Sequence, residues 1–138
     1  MKRTEPKYRY SNVMLIDDNE LDNFINEKIL ESNLFAKKIY TNTSGKSAIE
    51  FLNNMVTMGE EFSGIYPEVI FVDLNMPMID GFQFIEYFKK NNEAQLLQPR
   101  LVILTSSIYH EDREKAMKIS KDIVFLNKPL TRELLETI

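Results

Sequence analysis

The chain has 138 residues, 43% hydrophobic and 28% charged, with a formal net charge of −4, a profile that fits one domain with a sizeable core. The negative balance argues against a nucleic-acid binder driven by bulk charge. The absence of cysteine excludes disulfides, thiolate nucleophiles and Cys-based metal sites, and the lone His110 cannot build a multi-histidine zinc site.

Residues 1–9 mix Lys2, Arg3, Lys7 and Arg9 with Pro6 and read as a flexible tail, with the domain proper over 10–138. Asn12 to Asp17 is a short apolar run, expected as a buried strand that finishes in Asp17-Asp18. Asn19-Glu20-Leu21 opens a helix whose inner face, by spacing, is Leu21, Phe24, Ile25 and Ile29. Ala36 to Thr41 is a more polar strand, expected near an edge. Thr43 or Ser44 then caps a helix with Ala48, Leu52, Met55 and Val56 facing inward. Met58 to Pro67 reads as a loop. Val69-Ile70-Phe71-Val72 is an all-apolar strand running into Asp73, the pattern of a parallel sheet covered on both faces. Asn75 and Pro77 turn the chain. Asp80 and Gln83 resemble a capping pair ahead of a helix that buries Phe84, Ile85 and Phe88 and dissolves in Lys89-Lys90-Asn91-Asn92. Leu101 to Leu104 is a fourth strand, ending at Thr105. His110 to Ser120 reads as an exposed helix and Ile123 to Leu126 as a fifth strand. After Lys128-Pro129, Thr131 caps a short last helix with Leu134 and Leu135. Strand and helix alternate five times, which specifies a parallel sheet with right-handed crossovers and helices on both faces.

In such a sheet the carboxyl ends of the strands share one edge, where open α/β sheets place their ligand crevice. Asp17-Asp18, Asp73, Thr105 and Lys128 all stand at strand ends. Three carboxylates there repel: two unit charges about 4 Å apart cost roughly 4 kcal/mol at an effective dielectric near 20. Lys128 supplies one compensating charge, and a hard divalent ion would complete the balance. Oxygen-only ligands favour Mg²⁺ over zinc. Mg²⁺ that keeps some of its waters suits a phosphoryl group as the remaining ligand. Asp73 can then act as nucleophile and form an acyl phosphate, with Mg²⁺, Lys128 and the Thr105 hydroxyl each taking one phosphoryl oxygen. Taken alone, each of these residues has an ordinary structural reading: Asp73 or the acidic pair as caps, Thr105 as a turn former, Lys128 as a surface lysine.

The acidic pair, the Asp-Leu-Asn-Met-Pro run from Asp73, Asp80-Gly81, the Leu-Thr-Ser at Thr105 and Lys128-Pro129 occur in one order and register. Together they resemble the response-regulator receiver domain of two-component signalling, over essentially the whole chain. The resemblance implies a flavodoxin-like, doubly wound (βα)5 fold with a five-stranded parallel sheet in the order 2-1-3-4-5. It implies Asp73 as phospho-acceptor, with Mg²⁺ held by Asp18 and Asp73, by the Asn75 backbone carbonyl and by Asp17 through water. Thr105 becomes the switch hydroxyl, Phe125 the switch aromatic, and Lys128-Pro129 a bond that is commonly cis in the family. The implied partners are a sensor histidine kinase or histidine phosphotransfer protein and a downstream protein target, with neither nucleic acid nor membrane, in the cytoplasm. Such a chain is not an enzyme in the usual sense, since it catalyses only its own phosphorylation and dephosphorylation. Departures from the family pattern are Ile119-Ser120-Lys121-Asp122 before the fifth strand, the polar Asn127, and the short final helix.

Three other readings compete. A phosphohydrolase with an aspartyl-phosphate intermediate would keep a second acid two residues after its nucleophile, where this chain has Asn75. A receiver-like module that binds without phosphorylation would have no need of the complete acidic set. A flavin protein of similar fold would want a Ser/Thr/Gly-rich loop where this chain carries Asp-Asp-Asn-Glu.

Overall fold

A computed structural model describes residues 6–92 and 97–138. Five strands form one sheet: β1 (Tyr10–Ile16), β2 (Ala36–Asn42), β3 (Val69–Val72), β4 (Arg100–Thr105) and β5 (Val124–Asn127). Every pairing is parallel, as the alternation of strand and helix requires, and the order is β2-β1-β3-β4-β5, as the resemblance implies. The helices are α1 (Glu20–Ser32), α2 (Gly45–Val56), α3 (Gly81–Asn92), α4 (His110–Ile119) and α5 (Arg132–Leu135).

The strand period of two splits each apolar run between two cores. Met14, Ile16, Ile70, Val72, Leu101 and Ile103 face the α2, α3 and α4 side, where Leu52, Phe84, Ile85 and Ala116 meet them. Val13, Leu15, Val69, Phe71, Val102 and Leu104 face the opposite layer, with Leu30 of α1 and Leu135 of α5. Because both faces are buried, alternation vanishes from the sequence and only continuous apolar runs remain.

Local details follow from capping. Ser44, rather than Thr43, caps α2 by accepting from Ser47 N at 3.0 Å. Asp80 and Gln83 bond reciprocally to one another's main-chain N–H, at 2.8 and 2.9 Å, and open α3. Thr131 caps α5. Val56 differs from its expected inward position: it is exposed, while Ala48, Leu52 and Met55 are buried. The segment read as a loop contains a 3-10 helix at Gly59–Gly64. The α3 helix does not dissolve at Lys89. It runs to Asn92, because the Asn91 and Asn92 side chains each donate to a carbonyl four residues back at 2.8 Å and Lys89 and Lys90 suit the helix C-terminus.

The largest departure is the orientation of α1. Leu21, Phe24 and Ile25, expected inside, are 64%, 55% and 43% exposed, whereas Asn23, Asn26 and Leu30 are buried. Of the expected face only Ile29 packs against the core. The helix is turned by hydrogen bonds rather than by its apolar stripe. Asn19 caps it by accepting from Asp22 N, and the buried Asn23 amide donates to the carbonyls of Asp17 and Asn42 at 3.0 and 3.3 Å. Those carbonyls lie at the ends of two neighbouring strands, so Asn23 ties the helix to the strand edge that carries the site. Of the expected N-terminal tail, residues 1–5 lie outside the described residues. Arg9 donates through its guanidinium to the carbonyls of Leu135, at 2.7 Å, and Ile138.

Candidate functional site: an acidic strand edge

Main-chain bonds assemble the edge. Asp17 N donates to Asn42 O at 3.1 Å, Asp73 N to Ile16 O at 3.0 Å, and Lys128 N to Thr105 O at 2.8 Å. Each continues the ladder by one residue past its strand, and together the three bonds involve the ends of all five strands. The sheet brings together carboxylate oxygens of Asp17, Asp18 and Asp73, all within 4.8 Å of one another. Asp17 and Asp73 are buried and Asp18 is exposed, so the cluster is open on one side.

The three carboxylates are in unlike surroundings. Asp17 Oδ1 accepts from Asn19 N at 3.0 Å and its Oδ2 from Lys128 Nζ at 2.5 Å. Asp73 Oδ1 is buried and accepts no hydrogen bond from the described residues. Burial pushes the Asp73 carboxyl above its ordinary value; Lys128 and the Thr105 hydroxyl pull it back, the Asp17 charge adds to the rise, and burial prevails. Burial acts to lower the Lys128 ammonium, but its bonds to Asp17 and Asp22 and the nearby Asp73 charge hold it above its ordinary value. Lys128 Nζ stands 3.7 Å from Asp73 Oδ2, too far for a hydrogen bond but close enough for charge attraction.

Thr105 is fully buried at the end of β4, and its Oγ1 accepts from Ser107 N at 3.2 Å. Phe125 is not part of the cluster. On β5 it pairs with Ile103 of β4, is half-buried, and lies 4.9 Å beneath the Arg113 guanidinium of α4. Asn75 is exposed at the rim, where Leu74 to Met76, Asp80, Phe82, Asp112 and Lys115 line an open cleft. Lys128-Pro129 is cis. Asn127, the polar departure in β5, donates to Ser107 O at 2.5 Å and so ties β5 to the connection after β4.

One residue of the site escaped sequence reasoning. Asp22, in the first turn of α1, accepts from Lys128 Nζ at 2.9 Å. Its signal was present but ambiguous, since acids favour helix starts for reasons unrelated to any site.

The donor set fits a hard divalent cation. Three carboxylates present oxygens at mutual distances one ion can bridge, and the buried Asp73 Oδ1 has a lone pair unused by the protein. No cysteine is present in the sequence to favour a softer metal.

Comparison with known proteins agrees with this geometry. Residues 13–138 match the family model described as the response regulator receiver domain. A two-component response regulator from Cytophaga hutchinsonii, solved by crystallography, superposes with a TM-score of 0.80 at 32% identity, covering 92% of each chain. The receiver domain of the Arabidopsis thaliana histidine kinase CKI1, solved with Mg²⁺ and BeF3⁻, gives a TM-score of 0.73 over 93% of this chain and 91% of that one. At 18% identity it shows likeness of fold. Hybrid signal transduction histidine kinase L of Dictyostelium discoideum is 27% identical over 136 residues, 97% of this chain but only 7% of that protein. The chain thus spans a small part of such curated relatives. With a matching model over nearly its whole length and a solved response regulator superposing at 32% identity, this chain belongs to the response regulator receiver domain family.

Proposed function

We propose that this receiver is phosphorylated on Asp73 and signals through a protein contact that depends on that modification. The observation that carries the reading is the Asp73 carboxylate itself: buried, with one oxygen unbonded, and flanked by Asp17, Asp18, Thr105 and Lys128. Buried carboxylate oxygens are ordinarily hydrogen-bonded, and a cap or a structural ion pair gives no reason for one left unbonded. Asp18 and Asp73 would hold Mg²⁺ directly, with the Asn75 carbonyl, and Asp17 through water. The bound ion supplies charge neutralisation for the carboxylates and for a phosphoryl group.

The donor in this reading is the phosphohistidine of a histidine kinase or phosphotransfer protein, in keeping with the kinases among the relatives. An Asp73 oxygen attacks phosphorus and forms the acyl phosphate. The phosphorus–nitrogen bond to the donor imidazole breaks, and the nitrogen keeps the electron pair and takes a proton. Lys128 and the Thr105 hydroxyl each hold a phosphoryl oxygen. Thr105 moves toward the new group and Phe125 follows, changing the face built from α4, β5 and α5. Ile108, Tyr109 and Met117 already stand exposed beside that face and would meet the downstream target. Asn75 and Ser107 tune the lifetime of the acyl phosphate by governing access of water.

Among the described residues no helix is long and apolar enough to cross a membrane, in keeping with a cytoplasmic setting. The test is mass spectrometry after incubation with Mg²⁺ and acetyl phosphate. Wild type gains one phosphoryl group and Asp73→Asn gains none. An unmodified wild type, or equal modification of the variant, overturns the proposal.

A further inference from the structure

Lys128 is the cation that a phosphoryl group on Asp73 would recruit, yet the structure finds it engaged elsewhere. Its Nζ is 2.5 Å from Asp17 Oδ2 and 2.9 Å from Asp22 Oδ2, both hydrogen-bonded, against 3.7 Å from Asp73 Oδ2. Asp17 has a second reason to be there, since it belongs to the three-carboxylate cluster. Asp22 does not belong to that cluster, and among the described residues its one ion-pair partner is Lys128. The placement is built in: Asp22 N donates to the Asn19 cap at 3.1 Å, and the helix N-terminus favours the Asp22 charge where it lies. An ammonium has three protons, two of which are used by these carboxylates. Moving Nζ close enough to hold a phosphoryl oxygen lengthens or breaks the Asp22 bond.

We propose that Asp22 is a positioning residue that holds Lys128 on the α1 side of the site and competes with the phosphoryl group for it. The inference rests on Asp73 being the acceptor. Asp22 therefore sets how strongly the unphosphorylated form is favoured, without touching the phosphoryl group. The Asp22 carboxylate is 37% exposed, so the competition is that of a half-solvated ion pair. Its removal shifts the balance roughly two- to fivefold.

The test uses beryllofluoride, a phosphoryl mimic, titrated into the full chain at saturating Mg²⁺ and followed by amide chemical shifts. Asp22→Asn keeps the side chain's size and a hydrogen-bond acceptor while losing the charge, and Asp22→Ser gives an independent variant that suits a helix first turn. Both are expected to bind beryllofluoride two- to fivefold more tightly than wild type. In a Lys128→Gln background the same change at Asp22 is expected to bring no gain. Structural damage would weaken binding instead. No change on removing Asp22, weaker binding, or an equal gain without Lys128 overturns the proposal; the last would mean that Asp22 acts by simple charge repulsion. If wild type itself fails to bind beryllofluoride, the receiver reading fails first and takes this inference with it.

Discussion

Replacing Gly81 by alanine tests how tightly the fold grips Asp73. A β-carbon built at Gly81 overlaps the carbonyl oxygen of Asp73, and stands 2.8 Å from Leu74 Cα and 3.0 Å from the Asp73 carbonyl carbon. All three obstacles are backbone, so no side-chain rotation relieves them. Gly81 N also donates to Leu74 O at 3.0 Å, which fixes the start of α3 against the turn that follows β3. The added methyl must therefore push the α3 start away from Asp73 by several tenths of an ångström or more. Overpacking of this kind costs about 1–3 kcal/mol, and the unyielding neighbours place Gly81→Ala near the top of that range. For a domain of this size 1 kcal/mol corresponds to roughly 3–5 °C in Tm, so a fall of about 6–15 °C is expected in thermal denaturation. Gly64→Ala is the matched control, because nothing lies within 4 Å of its β-carbon and its φ is not positive. There the loss of unfolded-state entropy makes alanine neutral or stabilising, by up to about 1 kcal/mol. The displaced atoms at Gly81 are those of Asp73, so uptake of a phosphoryl group should fall below what the loss of folded protein explains. A Gly81→Ala chain that melts with wild type and is phosphorylated at the same rate would refute the reasoning.

Two further predictions concern α1 and pH. Leu21→Ser and Phe24→Ser remove exposed side chains and should change stability by no more than about 0.5 kcal/mol in urea denaturation. Asn23→Ala removes two hydrogen bonds and leaves the Asp17 carbonyl without its side-chain donor, while Asn42 O keeps the bond from Asp17 N, and should cost about 1–3 kcal/mol; the reverse ranking would restore the apolar-stripe reading of the helix. The raised Asp73 carboxyl means that the folded, metal-free chain binds this proton more tightly than the unfolded chain does. The stability contributed by that proton is fully present below the ordinary carboxylate value and is lost as pH rises through the raised folded value. Metal-free Asp73→Asn should accordingly melt above wild type at pH 7, with the gap closing on acidification, and saturating Mg²⁺ should raise the Tm of wild type more than that of the variant. A less stable variant at pH 7 would contradict the sign.

The strands and the site were legible for the same reason. Residues such as Val69 to Val72 are buried on both faces, which leaves runs too apolar to be anything but interior strands, and parallel pairing then carries their polar ends to one edge. The rotation of α1 was not legible, because a stripe of Leu21, Phe24 and Ile25 outweighs Asn23 in any hydropathy pattern. Three-dimensionally the balance reverses: the buried Asn23 amide bonds two strand-end carbonyls, which an apolar side chain at that place would not do. The end of α3 was misjudged similarly, since Asn91 and Asn92 look like helix breakers until their amides cap the last turn. Asp22 was hidden by a good alternative explanation, the favourable field at a helix N-terminus. In each case the missing information was a polar contact between elements distant in sequence.

The electrostatics of the edge suggest an order of events. Four carboxylates, those of Asp17, Asp18, Asp22 and Asp73, face one ammonium, Lys128. Each pair at about 4 Å would cost roughly 4 kcal/mol at an effective dielectric near 20, and the fold lowers that repulsion in three ways. Asp18 and Asp22 keep contact with water, Asp17 and Asp22 share Lys128, and Asp73 is held toward its protonated form. Only the last of these suppresses reactivity, because a protonated carboxyl is a poor nucleophile. Positive charge beside Asp73 therefore does more than neutralise the cluster: it favours the ionised form, the one able to act as a nucleophile. Lys128 supplies part of that charge across 3.7 Å, without a hydrogen bond, while its hydrogen bonds go to the α1 side. In the reading proposed above, a divalent cation would add the rest, and the Lys128 ammonium would meet the charge that arrives with the phosphoryl group.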